Sequence, residues 1–222
     1  MHQQHITGQS WRRLDLLGVV KDDVVVILFQ LVPIYLIGHQ EGFIDTDRIK
    51  CTVARYRQLY PAVRIFLREA HSPASWDSLR RGELDLAFVT GGSVPTGESW
   101  FVAEPCLDDT LVVAAAPGDP APDAWVGFPR GSMLRRILDE HFDAPDVVME
   151  LGSIAAVKGN VRAGIGRCLI SRQAITQDVA EGRLVEVEDP RSPIQRTLVV
   201  VHRGVDRLPP AAARLRELLL DA

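Results

Sequence analysis

The chain has 222 residues, with 25 lysines and arginines against 29 aspartates and glutamates, a formal net charge of −4, and 46% hydrophobic and 24% charged residues. That balance suits an ordinary globular protein with ample material for a packed core, and it lacks the basic excess of a nucleic-acid-binding surface. Three cysteines, Cys51, Cys106 and Cys168, are odd in number and lie far apart in apolar segments, which favours buried, reduced thiols over a disulfide framework.

The most apolar window, VVVILFQLVPIYLIG at 24–38, is interrupted by Gln30 and Pro33. A spanning helix needs roughly 20 mainly apolar residues, so the window is too short and contains a breaker. No small-x-small cleavage site follows it, and Lys21, Asp22 and Asp23 separate it from the Arg12-Arg13 pair. The expectation is a cytoplasmic chain that does not associate with membranes.

From residue 34 onward, short β-branched runs alternate with helical patterns, the mark of an α/β fold. IYLIG reads as a strand and DTDRIKCTVARYRQLYP as a helix capped by Asp45 or Thr46. Ile49, Val53, Tyr56 and Leu59 form its apolar stripe, and Pro61 stops it. AVRIFLREA, SPASWDSLRRGE and LDLAFVTG continue as strand, helix and strand. DDTLVVAAAPGDP then combines a buried-looking strand with a Pro, Gly and Asp turn, which makes it the candidate crossing between lobes.

The alternation then repeats. AWVGFP, DVVMEL and GRCLIS read as strands, separated by the helices GSMLRRILDEHF and SIAAVKGNVRA; the short helix RQAITQDVAEG and the strand LVEVED follow. QRTLVVVHR reads as a last strand, and PPAAARLRELLLDA as an amphipathic helix opening at prolines. The pattern predicts two α/β lobes of similar build joined at a hinge, with the last strand and helix returning to the first lobe.

Nucleotide motifs fail on spacing. Gly152 to Gly159 is wrong for a phosphate loop, with Asn160 where Lys is needed, and Gly164-Ile165-Gly166 lacks a third glycine and precedes a strand. What remains is a strand, then Gly152 and Ser153, then a helix whose unpaired N–H groups suit either a plain cap or an anion. Comparable strand ends occur at His39, Gln40 and Glu41, at Thr90, and at Gly131-Ser132. If the lobes face each other, these small polar residues converge on one cleft, where open α/β sheets hold ligands. No H-E-x-x-H, C-x-x-C or G-x-S-x-G is present, and the six histidines lack metal-ligand spacing. The expectation is a binding protein rather than an enzyme, with no cofactor and no metal.

The run YPAVRIFLREAHSPASWDSLRRGELDLAFVTGG resembles the effector-binding domain of LysR-type transcriptional regulators. The resemblance extends through FPRGSMLRRILDEHF and MELGSIAAVKGNVRAGIGRCLISRQAITQDVAEGRLVEV to RTLVVVHR and the closing helix, covering roughly residues 34 to 222. It implies two Rossmann-like subdomains hinged by crossover strands, as in type 2 periplasmic binding proteins. On this chain these would be residues 34–112 with 194–222, and residues 113–193, after an atypical segment 1–33. It further implies a small-molecule effector between the lobes, contacted by His39, Gln40, Glu41, Ser72, Thr90, Ser132 and Ser153. The family pairs its domains side by side and antiparallel, so a homodimer or homotetramer is expected, with IKCTVARYRQLY and GNVRAGIG as contact faces.

Two departures stand out. Family members begin with a winged helix-turn-helix and a linker helix, a pattern residues 1–33 do not show, so the chain reads as the sensing half without the DNA-reading half. GHQEGF also places His39, Gln40 and Glu41 where the family often has Ser or Thr, and Glu41 facing the cleft would repel an anion. The alternative reading is a periplasmic-type solute-binding protein, which shares the two-lobe plan.

Overall fold

A computed structural model of the chain describes residues 34–39, 47–70 and 72–221. Residues 1–33, with the apolar window up to Pro33 and the arginine pair, lie outside them. β1 (Ile34–His39) pairs in parallel with β2 (Ile65–Ala70) and β3 (Leu86–Thr90), and α1 (Asp47–Leu59) and α2 (Ser72–Arg81) make the connections. Parallel neighbours need such crossovers, which accounts for the alternation in the sequence.

The chain then enters β4 (Val102–Ala115), which is far longer than its neighbours. Beyond it come β5 (Ala124–Gly127), α3 (Met133–His141), β6 (Asp146–Glu150), α4 (Ile154–Arg162), β7 (Cys168–Ser171), α5 (Arg172–Ala180) and β8 (Val185–Glu186). β9 (Ile194–His202) and α6 (Pro210–Leu220) close the chain. β4 and β9 run antiparallel from the Val102–His202 pair to the Leu111–Ile194 pair. At one end β9 pairs with β3; at the other β4 pairs with β7 and β8. One sheet, ordered β2-β1-β3-β9-β4-β7, therefore passes through both lobes, and β5 and β6 form a second, parallel pair.

The crossing strand is longer than DDTLVV suggests because it begins at Val102. Pro105 has no N–H to donate, so the ladder slips between Pro105 and Leu107 instead of ending. That proline and Glu104 mask the strand's first half in the sequence.

Apolar side chains gather on each side of this crossing. In the first lobe, Leu86, Phe88, Leu198 and Val200 join Ile49, Tyr56 and Leu215 on one face of the sheet, while Ala87, Val89, Val199 and Val201 meet Leu79 and Leu84 on the other. The alternation of odd and even residues shows β3 and β9 buried on both faces, which is why both read as unbroken apolar runs. In the second lobe, Leu111–Ala114 pack with Val126, Leu134, Val157, Ile170 and Leu184. Burying each large aliphatic side chain contributes roughly 1.5–3 kcal/mol relative to exposure.

Two sequence expectations are corrected on α1. Ile49 and Tyr56 are buried, but Leu59 is 54% exposed, and Thr52 takes an inward position instead. Leu59 is the last helical residue, and the chain turns away from the core at Pro61. Cys51 is exposed, not buried, because at about 100° per residue it faces away from Ile49. Cys106 and Cys168 are buried as expected, and burial pushes the Cys168 thiol up to about 12.

The closing helix is tied to the first lobe by polar contacts as well as packing. The buried Tyr56 hydroxyl donates to the Ala211 carbonyl at 2.9 Å, and Arg216 pairs with Glu104 of β4. Burial works to raise the Glu104 pKa, but hydrogen bonds from Arg216 and His202 outweigh it and hold the carboxyl below its usual range.

Candidate functional site

At the crossing, a cleft of about 440 Å³ opens between the lobes. Its first-lobe wall is the end of β3 and the turn after it, Thr90, Gly91 and Gly92. Ser93 Oγ donates to the Thr90 carbonyl at 2.7 Å and the Val94 N–H to the Gly91 carbonyl at 3.1 Å, closing that turn tightly. The opposite wall is α3, which presents Met133, Arg136, Ile137 and His141. These four recur at helical spacing, so one stripe of α3 faces the cleft.

The other face of α3 is anchored in the second lobe. Ser132 caps the helix, its hydroxyl accepting from the Arg135 N–H at 3.2 Å. Arg135 itself is 4% exposed and donates to Asp139 at 2.8 Å and Glu150 at 2.6 Å, which holds the helix to β6. Across the cleft, Arg136 Nη2 donates to the Gly92 carbonyl at 3.1 Å, a direct bond between the lobes. His141 Nδ1 lies 3.0 Å from the Ile137 carbonyl; since a carbonyl only accepts, Nδ1 carries the proton there.

The floor is the start of β9, from Ile194 to Thr197. Beneath it is a polar network between elements of both lobes. Arg196 Nε donates to Asp109 Oδ2 at 2.7 Å, and Ser171 Oγ donates to Asp109 Oδ1 at 2.6 Å. Arg196 Nη1 reaches Thr90 Oγ1 at 3.4 Å. Thus β3, β4, β7 and β9 meet through four side chains, with the Asp109 side chain 0% exposed.

The sequence-predicted residues divide accordingly. Thr90 lines the cleft, and Ser132 directly precedes the cleft-lining Met133. Ser153 caps α4, accepting from the Ala156 N–H at 3.2 Å, and is not among the lining residues. His39 ends β1 and Ser72 opens α2; only their backbone positions are described. Gln40 and Glu41 lie outside the described residues. Sequence reasoning missed Asp109, Arg136 and Arg196. A charged residue within each of two apolar strands was the available signal for the first and last, but nothing local pairs residues 87 apart in the chain. Among the described residues no cluster of three metal-ligating side chains occurs, and no helix is long and apolar enough to cross a membrane.

The LysR substrate binding domain family model matches residues 45–222. The chain belongs to this family. Two LysR-type relatives show the extent of the likeness. The HTH-type transcriptional regulator YeiE of Escherichia coli (strain K12) is 32% identical over 181 residues, spanning 75% of this chain and 61% of its own. The HTH-type regulator Rv2282c of Mycobacterium tuberculosis (strain ATCC 25618 / H37Rv) is 31% identical over 176 residues, spanning 70% and 55%. The chain thus covers less than two thirds of these regulators' length.

Solved LysR regulatory domains share the architecture. The CcmR regulatory domain of Synechocystis PCC6803, in complex with 2-PG, matches with a TM-score of 0.71 at 20% identity, over 85% of this chain and 96% of that one. The effector-binding domain of QuiR, in complex with shikimate, matches with a TM-score of 0.68 at 15% identity, over 86% and 96%. The fold is that of type 2 periplasmic binding proteins, two Rossmann-like subdomains hinged by crossover strands.

Proposed function

We propose that this LysR-type domain is the sensing part of a transcriptional regulator, taking a small-molecule effector into the cleft between its lobes. The observation that carries the reading is the cleft's construction: one wall from each lobe, and a floor from a strand common to both. A ligand touching both walls favours one lobe arrangement over another only by binding it better, and that difference is what shifts the equilibrium. The lobes on this reading are residues 34–112 with 194–222, and residues 113–193. His39, Gln40, Glu41, Ser72, Thr90, Ser132 and Ser153 remain candidates for effector contact, and Thr90 has the strongest support.

The changed lobe geometry would reach DNA through a winged helix-turn-helix, in a cytoplasmic homodimer or homotetramer. Leu59, Tyr60 and Phe66, exposed on the first lobe, support the pairing of α1 with a neighbouring subunit. The domain's work on this reading is binding, not catalysis. Thermal-shift screening against small carboxylates, amino acids and inorganic anions tests it. A concentration-dependent rise in Tm that Thr90→Val abolishes is expected; silence across the whole panel would overturn it.

A further inference from the structure

The cleft floor holds a buried cation that is only partly engaged. Arg196 is 9% exposed overall and its side chain 5%. A guanidinium beside a carboxylate ordinarily forms two parallel hydrogen bonds. Here Ser171 Oγ occupies Asp109 Oδ1, Arg196 bonds Oδ2 through Nε alone, and Nη1 is directed to Thr90. Among the described residues Nη2 has no hydrogen-bond partner, and Arg196 lines the cleft. This atom is not among those sealed from water, so a donor of a charged group stands open to an acceptor that enters the cleft.

The surroundings point the same way. The described lining contains Arg136, Arg196 and His141 but no carboxylate, because Asp109 lies beneath the floor. Arg136 is 54% exposed in its side chain, and its contacts are the Gly92 carbonyl at 3.1 Å and Glu140 at 3.3 Å, both at the solvent edge. Its guanidinium can exchange these for a ligand without unburying anything. The Thr90 hydroxyl accepts only the long 3.4 Å contact from Nη1, which leaves its own proton free to donate.

Resting on the reading of this cleft as the effector site, we propose that it takes a small anion, a carboxylate or phosphate group received by Arg196 Nη2, Arg136 and the Thr90 hydroxyl. A cleft of about 440 Å³ suits a compact metabolite rather than a polymer. Because Arg196 also holds Asp109, and Asp109 holds Ser171 of β7, the anion competes for the charge that joins the lobes. Its binding is thereby felt in the second lobe as well as the first.

The test is titration of the isotope-labelled 222-residue chain with inorganic phosphate, succinate and the neutral succinamide at constant ionic strength, following backbone amides. Saturable shifts at Thr90, Gly91, Gly92 and Gln195 with phosphate or succinate, and none with succinamide, are expected. Which of the two anions acts decides between phosphate and carboxylate. Arg136→Gln and Arg196→Lys should each weaken binding at least tenfold; the lysine keeps a charge for Asp109 but has no second arm for the ligand. Succinamide binding in the cleft with both anions silent would overturn the anion and leave the effector site standing. Anion shifts undiminished in both variants would overturn the role of the arginines. Silence at the cleft with every probe would overturn both readings.

Discussion

Asp109 of β4 and Arg196 of β9 close a buried ion pair of 2.7 Å between the two strands that run through both lobes. Asp109→Asn removes the counter-charge from a largely buried guanidinium, and breaking a buried pair in this way costs about 3–5 kcal/mol. Urea unfolding should show a clearly lower midpoint for this variant. The double replacement Asp109→Leu with Arg196→Met, which leaves no charge behind, should lie much nearer the unsubstituted protein. Equal midpoints for Asp109→Asn and the original chain would mean that the pair contributes nothing to the crossing.

Helix caps give a second expectation. Ser153→Ala removes the acceptor for the Ala156 N–H, a loss of about 1 kcal/mol in stability. Ser153 is not among the residues lining the cleft, so phosphate and succinate titrations of this variant separate its two roles: they should be unchanged if the hydroxyl serves only to cap α4. A loss of ligand affinity with unchanged stability would make Ser153 a contact residue instead.

Acid stability should depend on Asp178. Its side chain is 3% exposed and faces Lys158 at 3.1 Å, Arg162 at 3.1 Å and Arg183 at 2.9 Å, which ties α4 to α5. Burial works to raise its pKa, but the three cations prevail and the folded value lies below the ordinary aspartate range. The unfolded chain therefore binds the proton first as pH falls. The stabilisation is complete above the unfolded pKa and is lost as pH drops through the folded one. Urea midpoints taken from neutral pH downward should fall less steeply in Asp178→Asn; parallel profiles would rule out this carboxylate.

Gly166 is a steric requirement. A Cβ there would stand 2.6 Å from the Ala124 carbonyl oxygen, where β5 passes against Arg167. Backbone cannot yield as a flexible side chain can, so Gly166→Ala should cost about 1–3 kcal/mol. Differential scanning calorimetry reads this as a lower Tm, and an unchanged Tm would show the strand free to shift.

These residues show how far the sequence reached. ELGSIAAVKGNVRAGIG displayed a strand, a cap and a helix end, and the structure has all three. Gly164, at φ +78°, follows the last turn of α4 in the left-handed conformation that glycine favours. Gly166 carries a different constraint, the approach of Ala124, and a contact across that chain distance leaves no local pattern. Thr90 was legible as a polar residue closing an apolar strand. Arg136 was not, because on an amphipathic helix a cleft-facing arginine and a solvent-facing one look alike.

Alternating runs, caps and breakers determined the order of strands and helices, because helix and strand periodicity and turn chemistry are set by near neighbours along the chain. Tertiary structure alone decided the site. Whether Asp109 meets Arg196, whether Ser171 takes the other carboxylate oxygen, and whether Arg136 spans the cleft all depend on which distant strands lie side by side. Charge and hydrogen-bond pairing are governed by distances of about 3 Å in space, to which separation along the chain is indifferent.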